Sequence, residues 1–237
     1  MSRGGSGGGG SHSLVAAVLL AAGGSRRMGS PKPLLPYPPG PDAEPLVRRV
    51  ARALAEGGAR PVVVVVAPGD VGAAVAGVAA DLPDVTAVVH ERPERGMLSS
   101  VQAGLWRARG DGESPPAPAA VVVCPCDLPR LRADHVAAVL EAWDGDAGTI
   151  VAPAFAGARG HPTLFGRDLF SDILALDPLE YGLNEVLKRR AERVQEIPVR
   201  DDAVLRDADT PEEWAALLPA AAAVPPAAIP SPRRVKI

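Results

Sequence analysis

Short apolar runs that alternate with helix-period segments, and a glycine-rich loop set directly after the first run, predict an α/β fold. The expected form is a single Rossmann-like domain with a mostly parallel sheet and helices on both faces. A third observation supports it. The clearest runs, Val15–Leu20, Pro61–Ala67, Val85–His90 and Ala119–Cys124, are apolar along their length, as strands covered on both faces have to be.

The elements follow in chain order. Residues 1–13, MSRGGSGGGGSHS, form a Gly/Ser tail with no apolar period and are set aside. After strand Val15–Leu20 and the glycine loop, a helix is expected at Leu46–Glu56, then strand Pro61–Ala67, helix Val71–Ala80, strand Val85–His90 and helix Leu98–Arg109. The polar, proline-rich stretch Gly110 to Pro118 reads as an exposed connection. Strand Ala119–Cys124, helix Ala133–Trp143 and strand Thr149–Ala152 come next, followed by helices Asp168–Leu176 and Leu183–Arg190 and strand Val194–Pro198. A last helix opens at Asp209-Thr210-Pro211, with a capping residue, Pro at the first helical position, and Glu212 and Glu213 facing the dipole. Residues 219–237 form an Ala/Pro-rich tail, which leaves 14–218 as the folded domain.

Composition narrows the function classes. The chain has 237 residues, 47% hydrophobic and 22% charged, with a net charge of −3, enough apolar material for one core and too little charge to hold it open. Only 3% of residues are aromatic and the isoelectric point is near 5.8, which speaks against nucleic acid as a partner. No apolar run reaches the roughly 18 residues that a membrane span needs, so no membrane association is expected. Cys124 and Cys126 have no second pair with which to close a zinc site and form no disulfide framework, so a cytoplasmic location is expected.

The chemistry concentrates after the first strand, in Leu20-Ala21-Ala22-Gly23-Gly24-Ser25-Arg26-Arg27-Met28-Gly29-Ser30-Pro31-Lys32. In a parallel sheet, ligands sit at the carboxyl ends of strands, where glycines let backbone N–H groups surround an anion and Arg27 and Lys32 add charge. A dinucleotide fingerprint fails, because Ser25 and Arg26 stand where its second glycine should be. A Walker A loop also fails, because Ser30 replaces its lysine and Pro31 and Pro33 interrupt the helix that should follow. Asp127, after the strand ending at Cys124, is either a turn cap or a carboxylate for Mg2+ carried on nucleotide phosphates. Asp209, with Asp207 beside it, is a helix cap, a second such carboxylate, or both. His161 is a core histidine or a substrate contact, and Ser99 and Ser100 are helix-capping groups or nucleoside neighbours. Arg189, Arg190 and Arg193 read as a solvated helix face.

The sixteen positions Leu20 to Leu35 resemble, as L-A-A-G-x-S-x-R-M-G-x-P-K-x-L-L, the signature loop of nucleotidyltransferases acting on phosphate-bearing acceptors, most closely the molybdenum cofactor cytidylyltransferase group. Four further segments resemble that family in the same order: Gly96-Met97-Leu98-Ser99-Ser100, Asp127-Leu128-Pro129, Gly157-Ala158-Arg159-Gly160-His161-Pro162 and Asp207-Ala208-Asp209-Thr210-Pro211-Glu212. The resemblance implies a nucleotide-diphospho-sugar transferase-like fold and transfer of CMP from CTP to molybdopterin, with release of pyrophosphate and Mg2+ as cofactor. A molybdoenzyme or its chaperone is the implied protein partner.

It implies site residues as well. Arg27, Lys32 and Asp127 are the catalytic set, and Asp127 and Asp209 the metal ligands. The nucleotide is expected against Leu20, Ala21, Ala22, Gly23, Gly24, Ser25, Arg27, Lys32, Gly96, Ser99 and Ser100, and the acceptor against Gly160 and His161. Ala22 is associated with CTP, where guanylyl-transferring relatives tend to have Gly. His90-Glu91 departs from the Asn-Pro that often precedes the G-M segment, and Pro125-Cys126 replaces small residues before Asp127. Two alternatives stand beside this reading: transfer from GTP or to a sugar phosphate or other small molecule, and a nucleotide-binding regulatory domain without turnover.

Overall fold

The computed structural model describes residues 14–25, 27–110 and 117–218; both tails, Arg26 and most of the connection predicted at 110–118 lie outside the described residues. The first apolar run forms β1 (Val15–Leu20). It is followed by β2 (Pro36–Tyr37), β3 (Glu44–Pro45), α1 (Leu46–Glu56), β4 (Val62–Val66), α2 (Asp70–Ala79), β5 (Val85–Val89), α3 (Met97–Arg109) and β6 (Ala120–Pro125). Then come α4 (Ala133–Ala142), β7 (Ile150–Phe155), β8 (Ala158–Arg159), β9 (Thr163–Gly166), α5 (Phe170–Ala175), α6 (Asn184–Arg189), β10 (Val194–Pro198) and α7 (Pro211–Leu217). The main sheet has the order β10-β7-β9-β6-β1-β4-β5, with β8 on β7, while β2 and β3 pair separately. Among the described residues, no helix is long and apolar enough to cross a membrane.

Alternation along the strands explains the two helical layers, since neighbouring side chains point to opposite faces. Leu19 and Val64 face a core built with Leu46, Val50 and Leu54 of α1, Val75 of α2 and Val136 of α4. Val18 and Val65 face the other, built with Leu98, Val101 and Leu105 of α3 and Ile173 of α5. β1 is parallel to β4 on one side and to β6 on the other. The chain thus leaves β1 in one direction and returns on its other flank, the kind of switch point where open α/β sheets bind ligands.

Four strands were not expected, the two-residue β2, β3 and β8 and the longer β9. β9 runs antiparallel between β6 and β7, with Phe165 opposite both Val121 and Ile150. Four residues ending in glycine carry no readable period, and their strand character comes from ladders on both sides. The predicted strand at 149–152 extends to Phe155 because Ala154 pairs with Arg159 across a hairpin.

Candidate active site

Register places the loop. Leu20 and Pro125 are partners at the ends of β1 and β6, so the glycine segment and Asp127 leave the sheet side by side. Cys126 donates its N–H to the Leu20 carbonyl at 3.1 Å, and Ala21 donates to Val65 at 2.9 Å, which holds the start of the loop against both neighbouring strands. The loop then folds back, with the Lys32 N–H on Ser25 Oγ at 3.0 Å. Lys32 opens a single turn of 3-10 helix behind Pro31, and this turn points its side chain inward across the sheet edge.

A cavity of about 580 Å³ results, lined by Leu20, Ala22, Gly23, Gly24, Ser25, Arg27, Lys32, Gly96, Ser100, Asp127 and Asp209 among the residues singled out in the sequence. Lys32 is its electrostatic centre. Its Nζ lies 2.5 Å from Asp209 Oδ1 and 3.3 Å from Asp127 Oδ2. Arg27 donates to the other oxygen of Asp209. Burial alone would lower the Lys32 pKa, but the hydrogen bond to Asp209 and the charge of Asp127 together outweigh it and the ammonium is stabilised. The Lys32 hydrogen bond, with Lys32 and Arg27 charge behind it, holds the Asp209 carboxyl below its ordinary range. Asp207 is pushed the other way, by burial and then by the charges of Asp127 and Asp209.

The remaining predicted residues are placed off the cavity wall. Ala21 is buried at the strand end. Ser99 donates to the Gly96 carbonyl at 2.7 Å and lies 2.8 Å from His90 Nε2, so with its proton committed it accepts from His90. Gly160 gives its N–H to Pro153, and a Cβ there would lie 2.3 Å from the Val204 carbonyl oxygen; its lack of a side chain serves this backbone approach. His161 donates its N–H to Val204 at 2.9 Å, its Nδ1 is buried without a partner, and burial lowers its pKa against a smaller opposing effect of Asp127.

Sequence reasoning gave no site role to several residues at the cavity. Glu94, Met97 and Cys126 line it, and His90 braces its Gly96–Ser100 wall through Ser99. For His90 there was a signal, the departure from Asn-Pro. Met97, the first residue of α3, is 62% exposed at the mouth, and Gly96 turns the chain into the helix with a positive φ.

Asp127 and Asp209 suit a divalent cation that arrives with its own phosphate oxygens, since Mg2+ takes one or two carboxylates and fills its other positions with phosphate and water. Among the described residues, no group of three or more His, Cys, Asp or Glu side chains forms a closed cage.

Residues 17–194 match the family model of the MobA-like NTP transferase domain. The chain belongs to that family. Members of the MobA-like NTP transferase family are nucleotidyltransferases, and the sheet seen here is their nucleotide-diphospho-sugar transferase-like fold. The structure is similar to that of Rv0371c from Mycobacterium tuberculosis H37Rv, with 27% identity and a TM-score of 0.68, covering 87% of this chain and 97% of that one. A complex of Rv0371c with manganese matches at 25% identity and a TM-score of 0.64, over 87% and 98% of the two chains. A nucleotidyl transferase from Methanothermobacter thermautotrophicus shares the fold at 20% identity and a TM-score of 0.66, over 86% and 95%. No curated protein matches the chain.

The Lys32–Asp209 bond has a pH signature. A carboxyl whose folded-state pKa is depressed contributes stability that is complete above its unfolded value, here 3.8, and is lost as pH falls through the lower folded value. In the metal-free protein, Lys32→Gln is therefore expected to flatten the fall of the urea midpoint below pH 4 relative to wild type. Parallel midpoint profiles for the two proteins would show that the bond does not form in solution.

Proposed function

We propose that this protein is a Mg2+-dependent nucleotidyltransferase that moves CMP from CTP to a phosphorylated acceptor, molybdopterin, and releases pyrophosphate. The observation that carries the reading is the pairing of Lys32 with both Asp127 and Asp209 on the floor of a glycine-lined cavity. A phosphate acceptor is already an anion, so no general base is needed. The obstacles are repulsion between anions and the charge left on pyrophosphate. Catalysis then consists of alignment and charge neutralisation.

Nucleotide binding would exchange partners. Lys32 turns from Asp209 toward the acceptor phosphate and the α-phosphate, and Arg27 with the loop amides takes the β- and γ-phosphates. Asp209 would thereby be free to hold the cation with Asp127. The cation, when bound, supplies a Lewis acid at the α-phosphate region. The complex of Rv0371c with manganese supports a divalent ion as cofactor. Five segments that resemble the molybdenum cofactor cytidylyltransferase group support the acceptor. Both cysteines are free and buried, which fits a reducing cytoplasm.

Ala22 supports CTP. Its methyl group lines the cavity and narrows the space for a base. The test is pyrophosphate release from CTP, GTP, UTP and ATP, with and without molybdopterin. The expected result is turnover with CTP that requires molybdopterin, and in Ala22→Gly a gain for GTP over CTP of about tenfold, the scale of one methyl group in a tight pocket. Equal wild-type turnover of CTP and GTP would overturn the base assignment. Tight nucleotide binding without turnover would favour the regulatory reading.

A further inference from the structure

Asp127 and Asp209 come from segments far apart in sequence, and both segments are tied together away from the cavity. The one that follows Asp127 carries Arg130 and Arg132, and the one that leads to Asp209 carries Asp201 and Asp202. Arg130 Nη1 donates to Asp202 Oδ1 at 3.1 Å, and Arg132 Nη2 donates to Asp201 Oδ2 at 3.0 Å. Buried His135, in the first turn of α4, brings Nε2 to 3.3 Å from the other oxygen of Asp201.

From this tie the chain has little freedom before Asp209. Asp201 Oδ1 accepts the Ala203 N–H at 3.0 Å and caps a single 3-10 turn. Val204 and Ala208 are fully buried, with the Val204 carbonyl held by the His161 N–H. Beyond, the N–H groups of Asp209 and Thr210 both bond Glu213 in α7, at 2.7 and 3.1 Å. The Asp209 arm is thus fixed at its far end by a helix cap and at its near end by the two ion pairs. Ion pairs as exposed as these contribute about 0–1 kcal/mol each to global stability, so their effect is on the placement of the arm.

We infer that Arg130 and Arg132, through Asp202 and Asp201, act as positioning residues that set the approach of Asp209 to Asp127 and so the affinity for the divalent cation between them. The inference rests on the reading of Asp127 and Asp209 as the cation-holding pair. It makes a prediction opposite in sign to plain electrostatics. Removing two positive charges near a cation site should strengthen cation binding by Coulomb attraction, whereas loosening the arm should weaken it.

The experiment is titration of the full chain with Mn2+ alone, following free Mn2+ by electron paramagnetic resonance, in wild type, Asp209→Asn, Arg130→Gln/Arg132→Gln and Arg130→Lys/Arg132→Lys. The Gln pair is expected to bind Mn2+ about tenfold more weakly, the scale seen when groups that orient metal ligands are removed. Its melting temperature should stay unchanged, and the Lys pair should keep wild-type affinity. Affinity in the Gln pair equal to or above wild type, with Asp209→Asn weakened, overturns the positioning role alone. Undiminished binding in Asp209→Asn overturns the reading of the cation pair and the inference with it.

Discussion

Asp127→Asn is expected to lower the rate of CTP-dependent pyrophosphate release by about a thousandfold while leaving the fold intact. The substitution keeps the shape of the side chain and removes one charge from a partly exposed position, so the packing of β6 and α4 has no reason to change. Two consequences follow for the chemistry. On the proposed reading the cation would lose one of two carboxylates, and Lys32 loses one of the two anions that its ammonium contacts. Removal of one preorganised charge-stabilising group of this kind costs about a hundred- to a thousandfold in kcat, and the carboxylate acts through both partners at once. Asp209→Asn should fall in the same range, and the double variant should be little worse than either, because groups that act as a unit are not additive. The measurement is kcat at saturating CTP and Mg2+; a value for Asp127→Asn within tenfold of wild type would remove Asp127 from the catalytic set.

Gly104→Val is expected to destabilise the protein by about 3 kcal/mol, the upper part of the usual range for overpacking a core. A Cβ at Gly104 would lie 2.3 Å from Val18 Cγ1 and 2.8 Å from Val65 Cγ2. Both neighbours are β-branched and stiff, so neither can rotate away. The helix propensity gained by replacing glycine, less than about 1 kcal/mol, does not offset this. Relief has to come from α3 moving off β1 and β4, and α3 carries the wall of the cavity at Met97 and Ser100. The substitution should therefore lower the urea midpoint and also raise the KM for nucleotide, although residue 104 does not line the cavity. An unchanged midpoint would mean that α3 does not pack as closely as the structure has it.

Much of the fold was legible because its signals are local. Three apolar strands, β1, β4 and β6, marked a sheet covered on both faces, whereas the fourth run became β5, an edge strand left half exposed. Thr210-Pro211 with Glu213 opened α7 with the reciprocal cap seen in the structure. β9 was not legible, because Thr163–Gly166 is too short for a period and its partners lie some forty residues back in β6 and about thirteen back in β7. The site divides in the same way. The glycine loop, Lys32, Asp127 and Asp209 stood out as small residues and charges at chain positions where chemistry is usual. Ser99 and Gly160 stood out equally, yet the structure turns the first toward His90 and packs the second on Val204.

The sequence by itself determined which segments become strands and helices and which short stretches carry cations, glycines and carboxylates, because period, capping and loop chemistry are written within a few residues of one another. The tertiary structure alone decided that Lys32 meets Asp127 and Asp209, and that the arm bearing Asp209 is tied to the segment after Asp127. Those meetings depend on the pairing of Leu20 with Pro125 across the sheet, on glycine-sized gaps filled by distant backbone, and on ion pairs between segments about seventy residues apart. No local pattern encodes such an approach, since it is set by how the two layers of helices close over the sheet.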